Sequence, residues 1–136
     1  MQNSRSQSSR GHILIIDQNR DALDLLKTML AYRGYRVTTA ADGLEGLEKF
    51  RHGHFQLILT DLSIPRMSGW ELCRIVKENA PLVPVVLATG LDFHTRPERL
   101  PFDAVISKPF HFGEFHQVVD SLIQCECVRP LAVQSG

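Results

Sequence analysis

Four polar residues, each placed at the end of an apolar run, have side chains that could share one reaction. They are Asp17, Asp61, Thr89 and Lys108. Two neighbouring carboxylates repel each other unless a cation lies between them, and oxygen ligands favour Mg²⁺. A carboxylate beside Mg²⁺ and a lysine ammonium can attack a phosphoryl donor, while a threonine hydroxyl donates to one of the phosphoryl oxygens. The four residue types together predict an aspartyl phosphate.

These side chains can meet only if the runs before them are strands of one sheet. Five segments have a strand-like composition: 12–16, 35–39, 55–60, 83–88 and 103–107. Most are continuously apolar rather than alternating, which is typical of parallel strands covered on both faces. The carboxyl ends of parallel strands lie at one edge of the sheet, where open α/β sheets place their chemistry. We therefore expect the four residues to converge there.

Apolar residues at helical spacing predict four helices between and after these strands, at 20–33, from Asp42-Gly43 to near Gly53, from Ser68 or Gly69 to Asn79, and at 111–124. Their predicted inward faces comprise Ala22, Leu25, Leu26, Met29 and Leu30, then Leu44, Leu47 and Phe50, then Leu72, Ile75 and Val76, and finally Phe112, Phe115, Val119, Leu122 and Ile123. Asn19 or Asp21 is expected to cap the first helix. Alternating strands and helices predict an α/β fold with a doubly wound, five-stranded parallel sheet of order 2-1-3-4-5.

Composition limits the classes of protein to which the chain can belong. Its 136 residues suggest a single domain, which we place at 12–126 between a flexible leader at 1–11 and a tail at 127–136. A formal net charge of zero argues against nucleic-acid binding, and no apolar run reaches the roughly 18 residues of a membrane span. The leader lacks the apolar centre of a signal peptide. Three cysteines are too few for a disulfide framework, so we expect a reducing, cytoplasmic location.

Five short blocks carry a resemblance to a known family. They are ILIID (13–17), ADG (41–43), LTDLSIPRMSG (59–69), ATG (88–90) and SKPF (107–110). In this order and spacing, the chain from about 12 to 124 resembles the receiver domains of two-component and phosphorelay response regulators. The resemblance implies a flavodoxin-like (CheY-like) α/β/α sandwich. The stretches 61–69 and 84–90 are also similar to receivers associated with hybrid sensor kinases.

The resemblance assigns a role to each of the candidate residues. It implies that Asp61 accepts a phosphoryl group from a histidine kinase or a histidine phosphotransfer protein, and that Lys108 contacts that group. Thr89 matches the switch hydroxyl. Mg²⁺ would be held by Asp17, Asp61 and the backbone carbonyl of Ser63. Such a domain is a signalling phosphoacceptor rather than an enzyme, and its Lys108–Pro109 bond is commonly cis.

Three features depart from the family pattern. Gln18 stands where a second acid is usual, so we expect Gln18 to be at most a weak or water-mediated ligand, with weaker Mg²⁺ binding and slower phosphorylation. Val105 stands where many receivers carry an aromatic residue whose rotamer follows the threonine. The segment 91–101 contains two prolines, which predicts a short or irregular fourth helix.

Other functions remain open on the residues alone. The main alternative is a pseudo-receiver, which uses the same fold as a phosphorylation-independent interaction module. A phosphatase or phosphotransferase with an aspartate nucleophile would typically need a second acid two residues after Asp61, where the chain has Ser63. An FMN-binding protein would need a phosphate loop rich in Ser, Thr or Gly after the first strand, and residues 17–20 lack one.

Overall fold

Five parallel strands form one sheet in the computed structural model, which describes residues 10–90, 101–108 and 112–135, the last twelve as backbone only. The strands are β1 (His12–Ile16), β2 (Arg36–Ala40), β3 (Leu57–Thr60), β4 (Val85–Thr89) and β5 (Ala104–Ser107). Their order is β2-β1-β3-β4-β5, and each neighbouring pair is parallel. The predicted order 2-1-3-4-5 is confirmed.

Helices cover both faces of this sheet. They are α1 (Arg20–Tyr32), α2 (Gly43–Arg51), α3 (Gly69–Asn79) and α4 (Phe112–Ser135). One core cluster packs alternate residues of β1, β3 and β4 against α1 and α4, and the other packs the intervening residues against α2 and α3. Because successive strand side chains point to opposite faces, a strand buried on both sides must be apolar throughout. The sequence of β1, β3 and β4 follows from that requirement, and the predicted three-layer sandwich is confirmed.

Three helices begin at a side chain that caps them. Asn19 accepts from the Ala22 N–H, Asp42 from Glu45, and Ser68 from Glu71. Each cap satisfies one of the backbone donors that a helix start leaves free, and such caps contribute about 1 kcal/mol each. The predicted starts of these three helices are therefore confirmed, with Asn19 rather than Asp21 capping α1. The capping side chain thus determines the residue at which each of these helices begins.

Three apolar residues predicted to face the core are instead exposed. Leu25, Leu44 and Phe112 are 51%, 40% and 53% exposed. In α1 the buried residues are Leu23, Leu26 and Leu30. At about 100° per residue, Leu25 lies on the side of the helix opposite Leu23. The prediction for Leu25 was wrong because the closely spaced leucines of α1 fit more than one helical stripe; Leu44 and Phe112 each lie in the first turn of their helix.

The last helix is longer than predicted. The predicted end near residue 124, followed by a loose tail at 127–136, differs from α4, which continues to Ser135. The extension runs through Pro130, a residue that disfavours a helix interior, so local sequence does not explain it. The predictions on residues 1–9 of the leader, on a fourth helix in 91–100 and on the Pro109 bond lie outside the described residues. Arg10 and Gly11, the last two residues of the predicted leader, are tied to the chain around β2 by backbone hydrogen bonds with Gly34 and Arg36. Within the described part of the chain, none of the helices has the length and apolarity needed to cross a bilayer.

Candidate functional site

The two acids of the candidate site lie side by side at the carboxyl edge of the sheet. The Asp17 N–H donates to the Ala40 carbonyl at 3.1 Å, and the Asp61 N–H donates to the Ile16 carbonyl at 3.1 Å. Each acid therefore extends its strand ladder by one residue. β1 and β3 are adjacent in the sheet, so the two carboxylates meet although they are distant in sequence. The predicted convergence of these residues is what the fold produces.

Lys108 lies between the two carboxylates. Its Nζ is 2.6 Å from Asp17 Oδ2 and 3.2 Å from Asp61 Oδ2. Burial disfavours the charged form of the lysine, but the hydrogen bonds and charges of both aspartates outweigh burial and raise the pKa of Lys108. The lysine therefore stays an ammonium at neutral pH. Its cation offsets the repulsion that the paired acids would otherwise have.

Asp17 is the more enclosed of the two acids. Its side chain is 5% exposed, against 18% for Asp61. Asp17 Oδ1 accepts from the Asn19 N–H at 2.9 Å, and Oδ2 accepts from Lys108. A buried carboxylate is tolerated only when it is paired and hydrogen-bonded, and Asp17 meets both conditions.

The Asp61 carboxylate is oriented by the backbone that follows it. Its Oδ1 accepts from the N–H groups of Leu62 at 2.6 Å and Ser63 at 3.3 Å, while Oδ2 faces Lys108. Sequence reasoning did not predict these two amides. The available signal was an aspartate just before a turn, because Asp side chains commonly bond to the N–H groups of the residues that follow them. Asp61 is thus held at both oxygens and remains partly open to solvent.

The loop after Asp61 is fixed by close backbone contacts. The Gly43 N–H donates to the Pro65 carbonyl at 3.1 Å, which ties the start of α2 to the loop. A Cβ at Gly43 would lie 2.5 Å from Met67 Cβ, and a Cβ at Gly69 would lie 2.5 Å from the Asp61 carbonyl oxygen. Glycine is therefore required at both positions because the neighbouring chain occupies the space. The sequence motif contained these glycines, but their partners appear only in the fold.

The remaining predicted residues surround this centre at different distances. Thr89 ends β4, is 1% exposed, and accepts at its backbone carbonyl from the Lys108 N–H at 2.8 Å. Gln18 is exposed, and its Nε2 lies 3.4 Å from the Ser63 carbonyl oxygen. Lys108 is thus in direct contact with both Asp17 and Asp61, whereas Thr89 and Gln18 connect to the centre through backbone carbonyls.

The donor set is compatible with Mg²⁺. It offers two carboxylates that already surround one positive charge, and the Ser63 carbonyl follows directly on the turn that holds Asp61. Mg²⁺ is usually bound through one or two carboxylates and retains several waters. Among the described residues, no group of three or more His, Cys, Asp or Glu side chains is placed to hold a metal. The residues present thus fit an Mg²⁺ that keeps several of its waters.

Comparison with known proteins agrees with this geometry. The family model for the response regulator receiver domain matches residues 13–120. A transcriptional regulatory protein of Bacillus subtilis, YkoG, is 32% identical over 110 residues, which are 77% of this chain and 47% of YkoG. The chain therefore spans about half the length of this curated relative.

Solved structures give the same result. A CheY-like receiver domain protein from Methanospirillum hungatei superposes with a TM-score of 0.77 at 29% identity, covering 85% of this chain and 94% of that one. Response regulator TrrA from Thermotoga maritima, in complex with Mg²⁺ and BeF, has a TM-score of 0.76 at 28% identity, covering 82% and 97%. The strand order, the polar residues at the strand ends and these matches together identify the chain as a member of the response regulator receiver domain family of two-component signalling.

Proposed function

We propose that Asp61 accepts a phosphoryl group from a histidine kinase or a histidine phosphotransfer protein, in a reaction that depends on Mg²⁺. The observation that carries this proposal is the fixed carboxylate of Asp61. Two backbone amides hold its Oδ1, and Lys108, which also contacts Asp17, lies at its Oδ2. A nucleophile oriented in advance needs little further ordering when the donor arrives.

The transfer exchanges one bond to phosphorus for another. An Asp61 carboxylate oxygen forms a bond to phosphorus as the bond between phosphorus and the donor imidazole nitrogen breaks, and the imidazole leaves with the electron pair. Lys108 neutralises negative charge on the transferring group. Thr89, at the end of the next strand, supplies a hydroxyl for a phosphoryl oxygen. The protein is the phosphoacceptor, and its own side chains assist its phosphorylation. This is a signalling role rather than the turnover of an external substrate.

The metal site that we propose consists of Asp17, Asp61 and the Ser63 carbonyl. When bound, Mg²⁺ would supply positive charge that stabilises the transferring phosphoryl group. Asp17 is already held in place by the Asn19 N–H, and Asp61 by its own turn, so both carboxylates are positioned without the metal. Because Gln18 contributes no charge, we expect the site to bind Mg²⁺ more weakly than a site with a third acid would.

One observation favours a second function. Gln18 occupies the position next to Asp17 with a neutral amide, so the site has two carboxylates and one ammonium. If Mg²⁺ binds too weakly at the concentrations in the cell, the same fold would serve as a phosphorylation-independent interaction module. The intact Asp61, Thr89 and Lys108 set favours the phosphoacceptor.

Intact-mass measurement tests the proposal directly. The protein is incubated with phosphoramidate, whose P–N bond mimics phosphohistidine, in Mg²⁺ or in chelator. We expect the addition of one phosphoryl group with Mg²⁺, none with chelator, and none for Asp61→Asn. Gln18→Asp should label faster than the wild-type protein. No labelling of the wild-type chain beside an active receiver in the same buffer would support the interaction module instead.

A further inference from the structure

Gln18 and Ser63 meet across the mouth of the site. Gln18 directly follows Asp17, and Ser63 lies two residues after Asp61. The Gln18 Nε2 is 3.4 Å from the Ser63 carbonyl oxygen, and the contact is exposed to solvent. The opposite orientation of the amide would bring two oxygen atoms together, which is unfavourable. The N–H₂ group is therefore the end of Gln18 that faces Ser63.

This contact places a hydrogen-bond donor on a proposed metal ligand. The Ser63 carbonyl can bind Mg²⁺ only with a lone pair directed into the site. The carbonyl oxygen has two lone pairs, and the Gln18 donor, which belongs to the residue next to Asp17, takes the one on the side where the cation would lie, so donor and cation compete for it. The Gln18 amide oxygen, the only atom of this side chain that could ligate a cation, is on the other branch of the amide, so it is not the atom that meets the carbonyl.

We propose that Gln18 is a positioning residue that holds the Ser63 carbonyl by a hydrogen bond and competes with the divalent cation for it, rather than a ligand of that cation. The inference rests on the proposed metal site and goes beyond it, because it reverses the role of the side chain. Mg²⁺ would have to displace the Gln18 amide from this carbonyl. The site would therefore need a higher Mg²⁺ concentration for occupancy than the same site without the Gln18 hydrogen bond. The missing carboxylate and the added hydrogen-bond donor both weaken the binding of Mg²⁺.

The truncation Gln18→Ala separates the two roles. If Gln18 competes with the metal, its removal frees the carbonyl, and Mg²⁺ should bind about two- to tenfold more tightly, the range expected for loss of one exposed hydrogen bond. If Gln18 is a ligand, the same variant should bind more weakly. Gln117→Ala, on the exposed side of α4, is the matched control and should bind as the wild type does.

The readout is binding, not phosphorylation. Mg²⁺ is titrated into each protein while the backbone amide shifts of Leu62 and Ser63 are followed by NMR, and the dissociation constants are compared. In the metal-free proteins, the NMR chemical shift of the Ser63 carbonyl carbon should also differ between wild type and Gln18→Ala, because the carbonyl loses its hydrogen-bond donor in the variant.

The possible results show separately whether the inference fails and whether the proposed metal site fails. Tighter binding by Gln18→Ala supports competition. Weaker binding, or binding within twofold of the wild type, overturns the inference and leaves the metal site intact. If Mg²⁺ shifts these amides in neither the wild type nor Gln18→Asp, the proposed metal site itself is wrong, and the competition falls with it.

Discussion

Lys108 and Asp17 are 91 residues apart in the chain, yet the lysine Nζ lies 2.6 Å from Asp17 Oδ2. The same nitrogen also contacts Asp61 Oδ2 at 3.2 Å. One ammonium therefore connects the ends of β1, β3 and β5. The attraction between Lys108 and the two carboxylates should therefore stabilise the folded protein as well as serve the site.

Removal of Lys108 should destabilise the protein in a way that metal relieves. Lys108→Ala leaves Asp17 and Asp61 facing each other without their cation, and we expect a loss of about 2 kcal/mol in the free energy of unfolding, below the full value for a buried pair because the site is partly solvated. Urea unfolding at neutral pH measures the loss. Millimolar Mg²⁺ should restore part of it, because the metal replaces the missing charge. Lys27→Ala, on the exposed side of α1, should show neither effect.

Gly69→Ala should impair both stability and phosphorylation. Its Cβ would lie 2.5 Å from the Asp61 carbonyl oxygen, which is backbone and can move only with the phosphoacceptor itself. We expect a loss of about 2 kcal/mol in unfolding free energy and slower labelling of Asp61. The control is Gly113→Ala in α4, where a Cβ would meet no heavy atom within 4 Å. Equal labelling rates for the two variants would show that Gly69 does not position Asp61.

Arg66 has a backbone conformation that costs stability. Its φ of 71° lies in the left-handed region, which side chains with a Cβ disfavour. Arg66→Gly should stabilise the protein by about 1 kcal/mol, since the ion pair that it removes is long, at 3.8 Å from Asp42, and the Arg66 side chain is exposed. Chemical denaturation measures the change. Arg74→Gly, inside α3, should instead destabilise by about 1 kcal/mol, and a loss of stability in both variants would contradict the explanation.

Acid should weaken the attachment of α4 to the rest of the fold. Asp120 accepts hydrogen bonds from the Tyr35 hydroxyl and from Arg33, at the opposite edge of the sheet from the site. Burial opposes ionisation of Asp120, but these hydrogen bonds and the charges of Arg10 and Arg33 outweigh it and lower the pKa of the carboxyl group. A lowered pKa stabilises the folded protein above the ordinary pKa of the group, and that contribution is lost as the pH falls through the folded value.

Asp120→Asn should therefore cost about 1–2 kcal/mol of unfolding free energy at pH 7 and progressively less as the pH falls below about 4. Urea unfolding of both proteins across that range provides the test. A difference from the wild type that stays constant with pH would show that the carboxylate charge is not responsible. Asp24→Asn, on the exposed side of α1, serves as the control and should change little at any pH.

Much of this protein follows from local sequence. The apolar strands and their alternation with helices predicted a doubly wound parallel sheet, and the order 2-1-3-4-5 was predicted by placing the first and third strands on either side of its switch point. The reason is physical: a right-handed crossover and burial on both faces leave few ways to arrange five such strands. The same pattern placed Asp17, Asp61, Thr89 and Lys108 at strand ends, so their approach to one edge was also predictable.

Local sequence is therefore enough to predict the helices, the strands and the edge of the sheet that carries the polar residues. Which atoms contact each other depends instead on how those elements pack. The exposure of Leu25, the bridging position of Lys108 and the contact between Gln18 and Ser63 depend on packing between segments that are far apart, 45 residues in the last case. Local periodicity leaves a helix free to rotate by a residue and a side chain free to choose its rotamer. Only the neighbouring elements, once packed, exclude the alternatives.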